Sequence, residues 1–209
     1  MYFKICGIKE IKTINCCTKN KVNFFGLIFY KKSPRNISLE KASELISFVK
    51  NKNINPVGVF VNEELDTIVA KIKRLKLKYI QLHGDENNQY ISKLKNIFRI
   101  KIIKVISISS QKDLNKIKKY VDADFFLFDY KAKKRELPGG NAKSFDWKIL
   151  KNLKINKPWF ISGGINVSNI GIIKKFVNPD GIDLSSGVEE IPGVKNNKMI
   201  DNLFKKYNE

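Results

Sequence analysis

The chain has 209 residues, 43% of them hydrophobic, with 40 lysines and arginines against 20 aspartates and glutamates, a formal net charge of +20. That length suits one domain over residues 1–209 with a sizeable core, while no apolar run approaches the ~20 residues that span a bilayer and the stretch Met1–Cys6 is too short for a secretory leader. Three cysteines, an odd count, argue against a disulfide framework and for a reducing, cytoplasmic setting, and a single histidine (His83) with no Cys-x-x-Cys spacing argues against a zinc or other metal site.

The charge raises the question of nucleic acid. Only Arg35, Arg74, Arg99 and Arg135 among the basic residues are arginine, the residue suited to bidentate phosphate and base recognition. The lysines are spread through nearly every predicted helix, and Asn and Ile are abundant too, the pattern left by AT-rich codons. The charge therefore reads as compositional drift, with no specific nucleic-acid partner and no membrane partner implied. It would steer an anionic substrate by long-range attraction. A basic nucleic-acid-binding protein stands as the alternative from a different class, and would need a clustered basic face.

Strands and helices alternate along the chain. A first strand is predicted at Phe3–Cys6, followed by a weak helical stretch in which Cys16 and Cys17 act as small core fillers. A second strand, Asn23–Phe29, leads to a helix capped by Ser38 and running to about Lys50, with Leu39, Ala42, Leu45, Ile46 and Val49 at helical spacing. Strand three, Pro56–Val61, precedes a helix over Glu63–Leu75, with Asn62 as its expected cap and lysines in its last turn. Strands four to eight follow at Tyr79–His83, Arg99–Val105, Asp124–Phe128, Pro158–Ser162 and Gly181–Leu184. Helical patterns at Asn87–Leu94, Gln111–Tyr120, Val167–Phe176 and Asn196–Tyr207, with a weaker one at Asp146–Leu153, complete the alternation. The strands are continuous apolar runs, as expected of strands covered on both faces. Eight such repeats with no linker imply an α/β chain closed into a single (β/α)8 barrel rather than an open sheet, and the Gly-x-Gly-x-x-Gly turn of an open dinucleotide-binding sheet is absent.

In such barrels the strands' C-terminal ends carry the active site. There the chain delivers Cys6 (first strand), Arg35 (loop after the second), His83 (fourth), Asp129 (sixth), Gly163 and Gly164 (seventh), and Asp183, Ser185, Ser186 and Gly187 (eighth). The small-residue loops after strands seven and eight suit a phosphate, because glycine lets backbone amides approach an anion closely. Cys6 and Asp129 would face each other across the mouth as base and acid. The thiol needs its thiolate stabilised, and the acid must keep its proton near neutrality. The structural alternatives are a buried small hydrophobe for Cys6, a turn cap for Asp129, a surface ion pair for Arg35 and a satisfied structural histidine for His83.

The segments Lys4-Ile5-Cys6-Gly7-Ile8, Phe29–Arg35, Gly58–Asn62, Gln81–Glu86, Phe145-Asp146-Trp147, Ser162–Ile165 and Asp183–Glu189 resemble, in order and spacing, the phosphoribosylanthranilate isomerases of tryptophan biosynthesis. The resemblance covers nearly the whole chain. It implies a cofactor-free Amadori rearrangement of a phosphosugar, with Asp129 as general acid and Cys6 as general base. It further implies that Arg35 holds the anthranilate carboxylate, that Gly164, Ser186 and their neighbours hold the phosphate through backbone amides, and that Asp183 contacts polar substrate atoms. A monomer or homodimer is expected. Indole-3-glycerol-phosphate synthase, another phosphate-binding barrel, is the nearest alternative, but it would want a lysine acid and glutamates at strand ends. The chain departs from the family pattern after strand six, where Ala142 stands in place of a glycine in Gly139–Ser144 and Tyr130 follows Asp129. If position 142 needs positive φ, alanine there adds ~1 kcal/mol of strain. An inactive barrel would be the corresponding further reading.

Overall fold

Eight parallel strands close into a barrel in a computed structural model that describes residues 1–133 and 136–209, so that Arg135 lies outside the described residues. The strands are β1 (Tyr2–Cys6), β2 (Phe24–Ile28), β3 (Asn55–Phe60), β4 (Tyr79–Leu82), β5 (Lys101–Ile108), β6 (Phe125–Tyr130), β7 (Trp159–Ile161) and β8 (Gly181–Leu184). Each pairs with the next, and β8 returns to β1 with Lys4 opposite Asp183. The predicted (β/α)8 fold is thus the observed one. Two boundaries differ in a way that matters: β5 runs on to Ile108, and Asp129 lies inside β6 rather than after it.

The two-residue period of a strand sorts these residues into two layers. Phe24, Val57, Ile103, Val105, Leu127 and Phe160 fill the barrel interior, and the Phe24 ring stands 5.2 Å from that of Tyr79 and 6.0 Å from that of Phe160. The alternate residues, such as Ile5, Phe25, Leu27 and Phe126, join the larger core between sheet and helices. Each fully buried side chain of this size contributes about 1.5–3 kcal/mol relative to exposure. Packing thus seals the lower barrel and leaves only the inward residues at the strands' C-terminal ends free for chemistry.

The helices are α1 (Ile11–Lys19), α2 (Leu39–Phe48), α3 (Leu65–Leu75), α4 (Asn88–Ile97), α5 (Ile173–Phe176) and α6 (Asn197–Asn208). Ser38, Asn87 and Asn196 cap α2, α4 and α6, each accepting a backbone N–H three residues on. Cys16 and Cys17 are buried on α1 as expected. Asn62 does not cap α3, which begins only at Leu65 with no side-chain cap. It sits at φ 48°, donates its N–H to Glu86 (2.8 Å) and accepts the Asp85 N–H (2.7 Å), tying the β3 loop to the β4 loop.

Three predicted helices are tighter than expected: Gln111–Lys119, Trp147–Leu150 and Ile170–Ile172 wind with three residues per turn. Their inward residues, Leu114 with Ile117 and Trp147 with Leu150, are three apart, a spacing that lines up on one face of a 3₁₀ turn and of an α-turn alike. A short antiparallel hairpin, β9 (Glu189–Ile191) with β10 (Val194–Lys195), was not predicted. It brings two charged side chains back over the barrel mouth.

Candidate active site

Inward-pointing strand ends build one mouth with two adjoining hollows. The first, about 330 Å³, is lined by Asp129, Tyr130, Gly163, Gly164, Ser186 and the 139–143 loop. The second, about 550 Å³, is lined by Cys6, Arg35 and His83 with apolar Ile28 and Val59. Asp129, Ser162, Asp183 and Ser185 line both. Nine of the ten predicted site residues are therefore brought together. Gly187 is the exception: it packs against the Ile165 carbonyl behind the cavity wall, where any side chain would collide.

Cys6 is buried at the end of β1. Its neighbour in register on β2 is Gly26, where a Cβ would come within 2.5 Å of the Cys6 sulfur. Gly26 therefore exists as room for the thiol, a role that only the strand register discloses. Two residues earlier on the same face, Lys4 is wholly buried and its Nζ donates to Asp183 Oδ1 at 2.9 Å. Burial pushes the Cys6 thiol up, and the Lys4 ammonium offsets only part of that rise.

Asp129 is buried opposite. Its Oδ1 accepts the Tyr130 N–H at 2.8 Å, and its Oδ2 lies 3.4 Å from His83 Nε2. Gln81, two residues before His83 and so on the same face of β4, places its amide nitrogen 3.0 Å from His83 Nδ1. With that amide donating, the imidazole keeps its hydrogen on Nε2, the nitrogen nearer Asp129. The loop beyond His83 is pinned from outside the barrel. Buried Lys104 on β5 donates to Glu86 (3.0 Å) and to the Gly84 carbonyl (2.5 Å), and Glu86 in turn accepts the Gly84 N–H.

Arg35 is neither at the surface nor free. Its Nε and Nη2 make a bidentate pair with Glu189 at 2.8 and 2.6 Å, and Nη2 also reaches the Gly140 carbonyl at 3.2 Å. Lys195 donates to the same carboxylate at 2.6 Å and to the Ser185 carbonyl at 3.1 Å. Burial works against the Glu189 charge, yet its hydrogen bonds to Arg35 and Lys195 hold its carboxyl below the usual range. Of the five guanidinium hydrogens, the two on Nη1 have no partner among the described residues. Those two are the ones left for an incoming carboxylate. Sequence reasoning missed Glu189 and Lys195 as site residues. Both flank the Pro192-Gly193 turn, and a charged residue on each side of so short a turn was the available signal.

The phosphate side rests on backbone. Gly163 and Gly164 take φ of 88° and 66°, which other residues adopt only with strain, and a Cβ on Gly164 would lie 2.9 Å from the Ser144 nitrogen. The Gly164 carbonyl is turned away and held by the Asn169 and Asn166 side chains at 2.9 and 3.2 Å. The N–H groups of Gly164 and Ile165 have no acceptor among the described residues. Backbone donors left unspent in a half-buried loop mark an anion cradle. Ala142 in the adjoining loop has φ 55°, so the departure noted in the sequence does carry backbone strain. Ala142→Gly is expected to raise stability by about 0.5–1 kcal/mol, read from the midpoint of urea unfolding. A destabilised variant would show that the loop does not feel the strain.

A family model for N-(5′-phosphoribosyl)anthranilate (PRA) isomerase matches residues 3–206. The chain belongs to the PRA isomerase family. Relatives agree: it is 40% identical over 206 residues to the N-(5′-phosphoribosyl)anthranilate isomerase of Rhizobium etli, covering 96% of this chain and 91% of that one. It is 35% identical over 204 residues to that of Paramagnetospirillum magneticum, covering 97% and 94%. The crystal structure of phosphoribosyl anthranilate isomerase from Thermotoga maritima is similar over 100% of this chain and 98% of that one, with a TM-score of 0.88 and 30% identity. A PRA isomerase in complex with reduced 1-(o-carboxyphenylamino)-1-deoxyribulose 5-phosphate is similar at a TM-score of 0.84 and 29% identity, over 100% and 98% of the two chains. Among the described residues, no group of three or more His, Cys, Asp or Glu is placed to hold a metal, and no helix is long and apolar enough to cross a membrane.

Proposed function

We propose that Asp129 and Cys6 carry the two proton transfers of the isomerase reaction. That reaction is the Amadori rearrangement of N-(5′-phosphoribosyl)anthranilate to 1-(2-carboxyphenylamino)-1-deoxyribulose 5-phosphate. Asp129, in its acid form, protonates the ribose ring oxygen. The ring opens, and the anthranilate nitrogen becomes a protonated Schiff base. The Cys6 thiolate then removes the C2′ proton. The C–H electron pair forms the C1′=C2′ bond of an enolamine and neutralises the nitrogen, and tautomerisation gives the ketone.

The observation that carries this reading is that Cys6 and Asp129 line one hollow, with spare arginine donors at one end and spare backbone amides beyond the other. The Arg35 Nη1 donors receive the anthranilate carboxylate, and apolar Ile28 and Val59 flank its ring. Gly163, Gly164, Ser185 and Ser186 hold the phosphate, with Gly187 fixing the loop behind them. Asp183, tied to Lys4, keeps one oxygen for the sugar hydroxyls, and the His83 Nε2 hydrogen orients Asp129. No cofactor takes part. The three thiols, all buried and unpaired, agree with a cytoplasmic location.

Freshly prepared N-(5′-phosphoribosyl)anthranilate is fluorescent, and its catalysed decay tests the reading. Cys6→Ala is expected to lower kcat by about 10²–10⁴-fold, with circular dichroism unchanged. Turnover near that of the unmodified protein would remove Cys6 from the mechanism.

A further inference from the structure

The barrel interior holds one charge pair with no packing reason to be there. Around it the interior is Phe24, Val57, Leu127 and Phe160, and an apolar residue at position 4 would fill the same space. Replacing a buried ion pair by well-packed apolar side chains is often neutral or stabilising, so the pair is poorly explained by stability. We propose that Lys4, a buried ammonium clamped by Asp183 beneath the catalytic thiol, is the counter-ion of the Cys6 thiolate. This rests on Cys6 being the base.

The placement follows from the strands. Lys4 and Cys6 are two apart on β1 and so share the inward face. Register sets Lys4 against Asp183 of β8, and the 2.9 Å bond between them fixes where the ammonium lies. Asp183 is the only oxygen acceptor bonded to Lys4 among the described residues, so two of its three hydrogens are left for the sulfur. The groups that face the sulfur from the packed elements are few. β2 brings only Gly26, and β8 brings Asp183, whose charge opposes the thiolate. β10 brings Lys195, which favours the thiolate but is already bound to Glu189 and Ser185. Asp129 and His83 lie across the mouth. After burial itself, Lys4 is the strongest influence on the thiol. Burial also works against the Lys4 charge, but Asp183 and the sulfur outweigh it and keep the ammonium protonated. Charge then balances through the step. A thiolate beside Lys4 takes the C2′ proton and becomes a neutral thiol, while the positive Schiff base becomes a neutral enolamine. The Lys4–Asp183 pair takes no part in the proton transfer. Lys4 touches no reacting atom and is a positioning residue.

The test is the pH dependence of Cys6 alkylation by iodoacetamide in the full chain, mapped to Cys6 by mass spectrometry and run beside the kcat/KM profile. In Lys4→Met the alkylation rate at pH 7 is expected to fall at least about tenfold, the size of shift one lost opposite charge gives. The midpoint should move to higher pH, and the acid limb of kcat/KM should move with it. Asp183→Asn removes the opposing charge, so its midpoint should move to lower pH. A merely structural pair would give no midpoint shift. If Lys4→Met does not fold because Asp183 is left stranded, Lys4→Met/Asp183→Asn removes that charge too, and its midpoint should still lie above that of the unmodified protein. An unchanged midpoint in the Lys4 variant that folds, or a shift of the same sign in both single variants, would overturn the proposal. Failure of the base assignment looks different: Cys6→Ala would keep turnover while the thiol titration still responded to Lys4.

Discussion

Asp129→Asn will abolish most turnover, about 10²–10⁴-fold in kcat, while leaving the unfolding transition in place. The amide matches the carboxyl in shape, and its oxygen can still accept the Tyr130 N–H that Asp129 accepts at 2.8 Å. What it lacks is a transferable proton for the ring oxygen. That contact strengthens only as the ring opens, so kcat and kcat/KM should fall together with KM little changed. The His83 contact, 3.4 Å from Oδ2, gives the variant a second signature. An amide that turned its nitrogen toward Nε2 would have to face an N–H, so the imidazole would change tautomer or move, visible in its nitrogen chemical shifts. Steady-state kinetics beside a thermal melt decides the matter. Substantial activity in a folded Asp129→Asn variant would require another acid, and among the described residues lining this mouth the only other carboxyl group is that of Asp183, already bound to Lys4.

The alternation of apolar runs with amphipathic runs was enough to read the barrel, because parallel strands covered on both faces leave that imprint directly in the order of residues. Helix type was less legible. A Leu114–Ile117 or Trp147–Leu150 pair fits an α-turn and a 3₁₀ turn equally, and packing against the sheet decides between them. Residues at strand ends were legible as a site, since polar side chains interrupt apolar runs there: Cys6, His83, Asp129 and Asp183 all announce themselves in this way. Their partners were not. Gly26 is meaningful only because it lies beside Cys6 across β1 and β2, and Lys4 only because β8 closes the barrel against β1. Arg35 shows the same limit from another side. Its scarcity marked it as a carboxylate ligand, but the protein carboxylate that orients it, Glu189, lies 154 positions away on a hairpin too short to show a period.

That hairpin sets the largest stability effect expected of any single change here. Glu189 is the only carboxylate bonded to Arg35 and Lys195 among the described residues, and both pairs are buried. Removing one partner of a buried pair leaves uncompensated charge, which costs about 3–5 kcal/mol, and here two cations lose their partner at once. Glu189→Ala should therefore unfold in urea at much lower concentration at pH 7, and Glu189→Gln, which keeps one acceptor oxygen, should lose less. The pH dependence gives an internal control. Because the folded-state carboxyl is held below its unfolded value, its stabilisation is fully present above the ordinary glutamate range near ~4.3 and is lost as pH falls through the lower, folded value. The gap between the unmodified protein and Glu189→Ala should shrink as pH is lowered through that range. In Glu189→Gln that folds, the guanidinium loses its bidentate clamp, so KM should rise more than kcat falls. A gap in stability that stays constant from pH 7 to pH 3 would mean that the hairpin contributes by packing alone and that Arg35 owes its orientation to something other than Glu189.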